Sequence, residues 1–208
     1  MGYLKDTIRG VSWMGALRAS TRGLAFIKIA VLARVLLPEQ FGLFGIASLA
    51  LSFLEIVTET GINVFLIQEQ SKLEKFLNTA WVVSIVRGVT ISLILLLLAP
   101  SLSSFFRSPE SLGLLYLISV VPVVRGFINP AIIIFRKDLQ FNKEFWLRTA
   151  LYFSDAIVSV LVAVVTRSPS ALIWGLIVGS LVEVYFSHRY IAPRPIFAFD
   201  FIKLKDNK

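Results

Sequence analysis

The chain has 208 residues, 56% of them hydrophobic and only 16% charged, with a formal net charge of +8. A soluble domain carries about 25% charge, so this composition, with its mean hydropathy of +0.78, excludes an ordinary soluble protein and points to an integral membrane one. The lack of cysteine excludes disulfides and thiolate metal sites, and the basic surplus reads as charge retained on the cytoplasmic side rather than as a nucleic-acid surface.

A spanning helix needs about 20 mostly apolar residues. The first window, 10–36, is broken by Arg18, Arg22, Lys28 and Arg34, and no small-residue cleavage site follows it. It is expected to be a retained helix, not a signal peptide. The turn "LLPEQFG" (36–42) leads to a second window, 41–67, and the polar "QEQSKLEKF" (68–76) to a third, 77–99. "APSLSSFFRSPES" (99–111) is expected to be a loop, with Phe105 and Phe106 at the membrane interface. The fourth window, 111–134, holds Pro122 and Pro130 on either side of Arg125, where a kink is expected. The basic "FRKDLQFNKEF" (135–145) precedes a fifth window, 146–166, and "TRSPS" (166–170) a sixth, 169–188. Trp13, Trp81, Trp146 and Trp174 fall near window ends, as interfacial anchors do. The expected fold is an all-α integral membrane bundle of six transmembrane helices over residues 1–190, followed by a basic cytoplasmic tail, 191–208.

Lysine and arginine in short loops set orientation. With the N-terminus cytoplasmic, Lys5, Arg9, Lys72, Lys75, Arg136, Lys137, Lys143, Arg189 and Arg194 lie inside, against Arg107 and Arg167 outside. Both termini are therefore expected in the cytoplasm.

An embedded Arg or Lys costs about 2.5–3.5 kcal/mol on insertion scales, so such groups face the bundle interior and seek partners. If the first two windows form a hairpin turning at Pro38 and Glu39, Arg18 lies level with Glu59 and Arg22 with Glu55. Each pair is four apart on its own helix and shares a face. Arg87, Arg125 and Asp155 fall at a similar depth, roughly 12–18 Å from the cytoplasmic boundary. The expectation is a polar cavity near the midplane. Arg18, Arg22, Arg87 and Arg125 would bind an anion, since the planar guanidinium makes bidentate contacts with phosphate. Glu55, Glu59 and Asp155 would pair with them or couple transport to a cation. A purely structural charge network is the alternative. No metal-ligand cluster, phosphate-cradling glycine loop or nucleophile motif is present, so neither enzyme activity nor a metal or cofactor is expected.

The run from 15 to 68, above all "LARVLLPEQFGLF" (32–44) and "ETGINVFLIQ" (59–68), resembles the start of the polysaccharide flippases. These are the O-antigen and exopolysaccharide transporters of the multidrug/oligosaccharidyl-lipid/polysaccharide (MOP) superfamily. "NPAIIIFRKDLQF" (129–141) and the aromatic-rich fifth window fit as well, and the resemblance extends to about residue 190. It implies one six-helix lobe of a MATE-like transporter in the bacterial inner membrane. It also implies flipping of an undecaprenyl-pyrophosphate-linked oligosaccharide for cell-surface polysaccharide synthesis. By similarity to the related lipid II flippases, Arg18 and Arg22 match the first-helix arginines of the cationic cavity, whereas Arg87 and Arg125 rest on depth alone. Family members have two such lobes. Either a second six-helix lobe, encoded separately or beyond a truncation, or a homodimer is then the expected partner, beside membrane lipid. A cation-coupled multidrug exporter lobe and a non-transporting membrane scaffold are the competing readings.

Overall fold

A computed structural model of the chain describes residues 2–59, 73–137 and 140–196. In chain order these form α1 (Gly2–Leu32), α2 (Pro38–Val57), α3 (Leu73–Phe105), α4 (Ser111–Ile118), α5 (Val120–Gly126), a 3₁₀ turn (Pro130–Ile133), α6 (Ile134–Lys137), α7 (Phe141–Thr166) and α8 (Ser170–Tyr190). Every regular element among the described residues is helical. Four helices are long and apolar enough to cross a membrane: Pro38–Val57, Leu77–Phe105, Phe141–Thr166 and Ser170–Tyr190. The protein is thus an all-helical membrane protein. α1 is as long as these but carries the basic residues, and Ser111–Gly126 is a shorter apolar pair of helices. The loop "QEQSKLEKF" up to Lys72, all of "ETGINVFLIQ" beyond Glu59, and the tail from residue 197 lie outside the described residues.

Local chemistry explains the boundaries. α2 starts at Pro38, whose fixed φ suits a first helical position and whose missing N–H has no helical partner to lose. Gln40 accepts from the Leu37 amide at 3.0 Å and donates to the Arg167 carbonyl at 2.8 Å, tying the start of α2 to the end of α7. α3 runs through Pro100 to Phe105, so the loop expected at 99–111 begins only after Phe105. One missing backbone bond is tolerable inside a spanning helix. The real stop is Arg107, at φ 51°, with the Ser108 amide bonding back to the Ser103 carbonyl at 3.0 Å. The fourth window is divided at Ser119, because Pro122 cannot bond to the Ile118 carbonyl and crowds it. Its helix ends at Gly126, well short of 134.

Below that end, fully buried Asn129 works as a clasp. Its side-chain oxygen accepts from the Ala131 amide at 2.9 Å. Its amide nitrogen faces the carbonyls of Ser187, Ile191 and Pro193 at 3.3–3.4 Å. Trp81 was expected at the membrane interface. It is instead buried, donating to the Phe127 carbonyl at 3.2 Å and packing against Phe127 and His188. Trp146 and Trp174 are exposed.

Two apolar clusters set the helix arrangement. Ala47 and Leu51 of α2, Ile91, Leu95 and Ala99 of α3, Leu114, Leu115 and Ile118 of α4, and Ile173 and Ile177 of α8 close one half of the bundle. Leu32 and Leu36 insert against Ala163, Ala171 and Leu172, which pins the end of α1 to α7 and α8. α1 therefore runs along α7, not back along α2 as a hairpin. The helices in the other half approach closely at glycines. A Cβ on Gly88 would overlap the Pro122 carbonyl, and one on Gly126 would come within 3.0 Å of the Ser84 carbonyl. Small residues at such crossings let helix backbones pack in lipid.

Candidate functional site

Beyond the apolar cluster the same helices diverge around a partly open cavity of about 710 Å³, well within the size range of small-molecule sites. Its walls repeat one pattern. α2 supplies Ser52, Glu55 and Ile56, with Glu59 following just past its end; α3 supplies Ser84, Arg87, Gly88 and Ile91. α7 supplies Arg148, Leu151, Tyr152 and Asp155; α8 supplies Leu176, Gly179, Ser180 and Glu183. Each set has the i, i+3, i+4, i+7 spacing of a single helical face. Arg125 enters from α5, just after the Pro122 break.

The charges are organised in pairs. Arg125 donates to Glu55 at 2.7 Å, and Arg148 donates to Glu183 at 2.7 Å. Lys28, reaching in from α1, donates to both oxygens of Asp155 at 2.8 and 2.9 Å, and Ser159 adds a third hydrogen bond at 3.2 Å. Their side chains are only 13% and 9% exposed. Arg87 bonds to the Glu55 carbonyl and to the Thr58 hydroxyl. It thereby caps the last turn of α2, where carbonyls lack helical partners and the dipole favours a cation.

The structure redistributes the residues expected to act together. Arg87, Arg125, Glu55, Glu59 and Asp155 all line the cavity. Arg18 and Arg22 are absent from that lining; they are exposed on α1. The expected Arg22–Glu55 and Arg18–Glu59 pairs are not formed, because they required α1 to fold along α2. Glu55 takes Arg125 instead, and Asp155 takes Lys28 rather than Arg87 or Arg125. Arg148 and Glu183 complete the site. Arg148 stands two residues into the fifth window, at a helix end where a charged side chain ordinarily reaches water. Its i+7 spacing to Asp155 was the signal that puts it on the cavity face. Among the described residues no three metal-ligating side chains converge. The arrangement can bind polar groups inside an apolar bundle. It has no evident nucleophile–base pair.

Residues 31–207 match a family whose description is "polysaccharide biosynthesis protein". The chain belongs to this family. Membership agrees with the resemblance carried by the sequence. Among curated relatives, the chain is 26% identical over 198 residues to the succinoglycan biosynthesis transport protein ExoT of Rhizobium meliloti (strain 1021), covering 93% of this chain and 40% of that one. It is 23% identical to the lipopolysaccharide biosynthesis protein WzxC of Escherichia coli (strain K12), again over 93% of this chain and 40% of the relative. A membrane protein from a Klebsiella pneumoniae cps region is 21% identical over 84% of this chain and 36% of its own. The chain thus spans about two-fifths of the length of the family members it matches. No solved structure matches it.

Proposed function

We propose that this chain is a six-helix lobe of a transporter that flips an undecaprenyl-pyrophosphate-linked oligosaccharide across the bacterial inner membrane. It acts as a transporter and not as an enzyme. The observation that carries the reading is the polar cavity built into membrane-spanning helices, in a chain whose named relatives serve polysaccharide biosynthesis. α1 and the α4–α5 pair join the four long helices to give six spans, and the loop charges favour both termini in the cytoplasm.

The anion and the cavity are separate parts of this proposal. Arg18 and Arg22 stand exposed one turn apart on α1, and among the described residues neither forms an ion pair. Cations left in lipid are costly, so this face suits a second lobe or a second copy, with the pyrophosphate between them. The drug-exporter reading fares worse. Of the four cavity carboxylates, Glu55, Asp155 and Glu183 are each already neutralised by a cation of the same chain, so a cationic substrate would have to compete for three of them.

The test is complementation. In a strain deleted for this gene, wild-type protein restores surface polysaccharide, and an Arg18→Gln/Arg22→Gln variant of equal abundance does not. A deletion strain with unchanged surface polysaccharide refutes the proposal.

A further inference from the structure

The cavity's charges balance. Glu55, Glu59, Asp155 and Glu183 face Arg87, Arg125, Arg148 and the inserted Lys28: four acidic groups against four basic ones among the described residues. Three of the four cations are held by a carboxylate at 2.7–2.9 Å, and the fourth, Arg87, is bound by a helix end. A phosphate entering this space would find three of its four cations already neutralised by a carboxylate, with Arg87 alone bound by neutral groups. It would also leave the cavity with net negative charge in a weakly polarisable setting, where unpaired charge is expensive. An uncharged polyhydroxylated group meets no such barrier. Paired carboxylates keep free lone pairs and paired guanidinium groups keep free N–H donors, so each pair offers an acceptor and a donor side by side. Tyr152 and the adjoining Leu151, Ile56 and Leu176 supply the flat and apolar wall that the C–H faces of a sugar ring need.

We infer that the cavity within this lobe is a carbohydrate subsite that excludes phosphate, holding the sugar portion of the substrate while the pyrophosphate stays outside it. The inference rests on the transport reading for the source of the sugar. It makes Arg148, Glu183 and Tyr152 the groups that contact sugar. It assigns Arg125 and Lys28 to keeping their carboxylates in place.

The experiment uses the full protein in lipid nanodiscs and three ligands. These are the lipid-linked oligosaccharide extracted from the producing cells, the free oligosaccharide released from it by mild acid, and inorganic pyrophosphate. Binding is read by titration calorimetry. The free oligosaccharide is expected to bind, and its affinity to fall at least tenfold in an Arg148→Gln/Glu183→Gln pair and in Tyr152→Ala. The paired substitution strands no lone charge, and Tyr152 is 37% exposed, so the two variants perturb the bundle by different routes and each checks the other, with folding read from the thermal melt of each. Pyrophosphate binding, where present, is expected to be unchanged in both variants. The inference is overturned if the intact lipid-linked ligand binds and the free oligosaccharide does not. Pyrophosphate binding that Arg148→Gln/Glu183→Gln or Arg125→Gln abolishes overturns it equally. If the intact lipid-linked ligand itself fails to bind, the transport reading fails and this inference with it.

Discussion

Three helices, α2, α3 and α8, run through two halves of opposite character. Toward the α3–α4 turn, α2, α3, α4 and α8 meet through the buried side chains of Leu51, Leu95, Leu115 and Ile173. One to three turns away, α2, α3 and α8 carry Glu55, Arg87 and Glu183, now joined by α5 and α7, and the helices stand apart around a cavity. The closed half is held by shape. Lipid is as apolar as leucine, so burial there gains little from water exclusion and much from close packing. The open half is held by charge pairing and by glycine crossings. Rigidity in one half allows the other to remain polar and accessible.

This contrast can be broken most severely at its best-buried ion pair. Lys28→Met leaves Asp155 charged in an apolar setting. It should cost about 3–5 kcal/mol, read as loss of the folded fraction in detergent–denaturant titration. Lys28→Met combined with Asp155→Leu should recover most of that loss. A double variant as unstable as the single would mean the pair is not a paired charge at all.

In the closed half, Leu115→Ala opens a void between α2, α3 and α4. A loss of about 2–4 kcal/mol is expected, with a lowered thermal midpoint and unchanged ligand affinity. If affinity falls instead, the two halves are not separable.

At the seam, Gly88→Ala drives a methyl group into the Pro122 carbonyl and should cost about 1–3 kcal/mol. Gly45→Ala meets nothing within 4 Å and should be neutral or slightly stabilising. Equal melting temperatures for the two would show that α3 and α5 do not cross where they do here.

The smallest stability effect should come from Arg18→Gln, within about 0.5 kcal/mol, because Arg18 is exposed and outside both halves. A melting curve matching wild type, with transport lost in the complementation assay, would place Arg18 in function. A large destabilisation would return it to a structural network.

Much of the open half was legible from residue spacing alone. Arg87, Arg125, Glu55 and Asp155 were found because ionisable groups in apolar windows must face inward, and depth follows from helical rise. Arg148 is not legible in the same way, because it lies two residues inside the fifth window and an end residue ordinarily reaches water. Trp81 was misplaced for a related reason. Position near a helix end suggests an anchor, but the Phe127 carbonyl, exposed where α5 stops, gives its indole N–H a buried partner.

Sequence alone determined that the chain is helical and membrane-embedded, which windows are apolar, and which faces carry charge. Those properties depend on composition and on a period of 3.6, and both are local. Only the tertiary structure decided who pairs with whom. The hairpin expected to pair Arg18 and Arg22 with Glu59 and Glu55 does not form, because α1 packs along α7 and not along α2. Depth is set along each helix by its own residues, whereas direction is set by what the helix packs against. Leu32 and Leu36 fasten α1 to α7 and α8, and that contact sends Lys28 to Asp155, gives Glu55 to Arg125, and turns Arg18 and Arg22 outward.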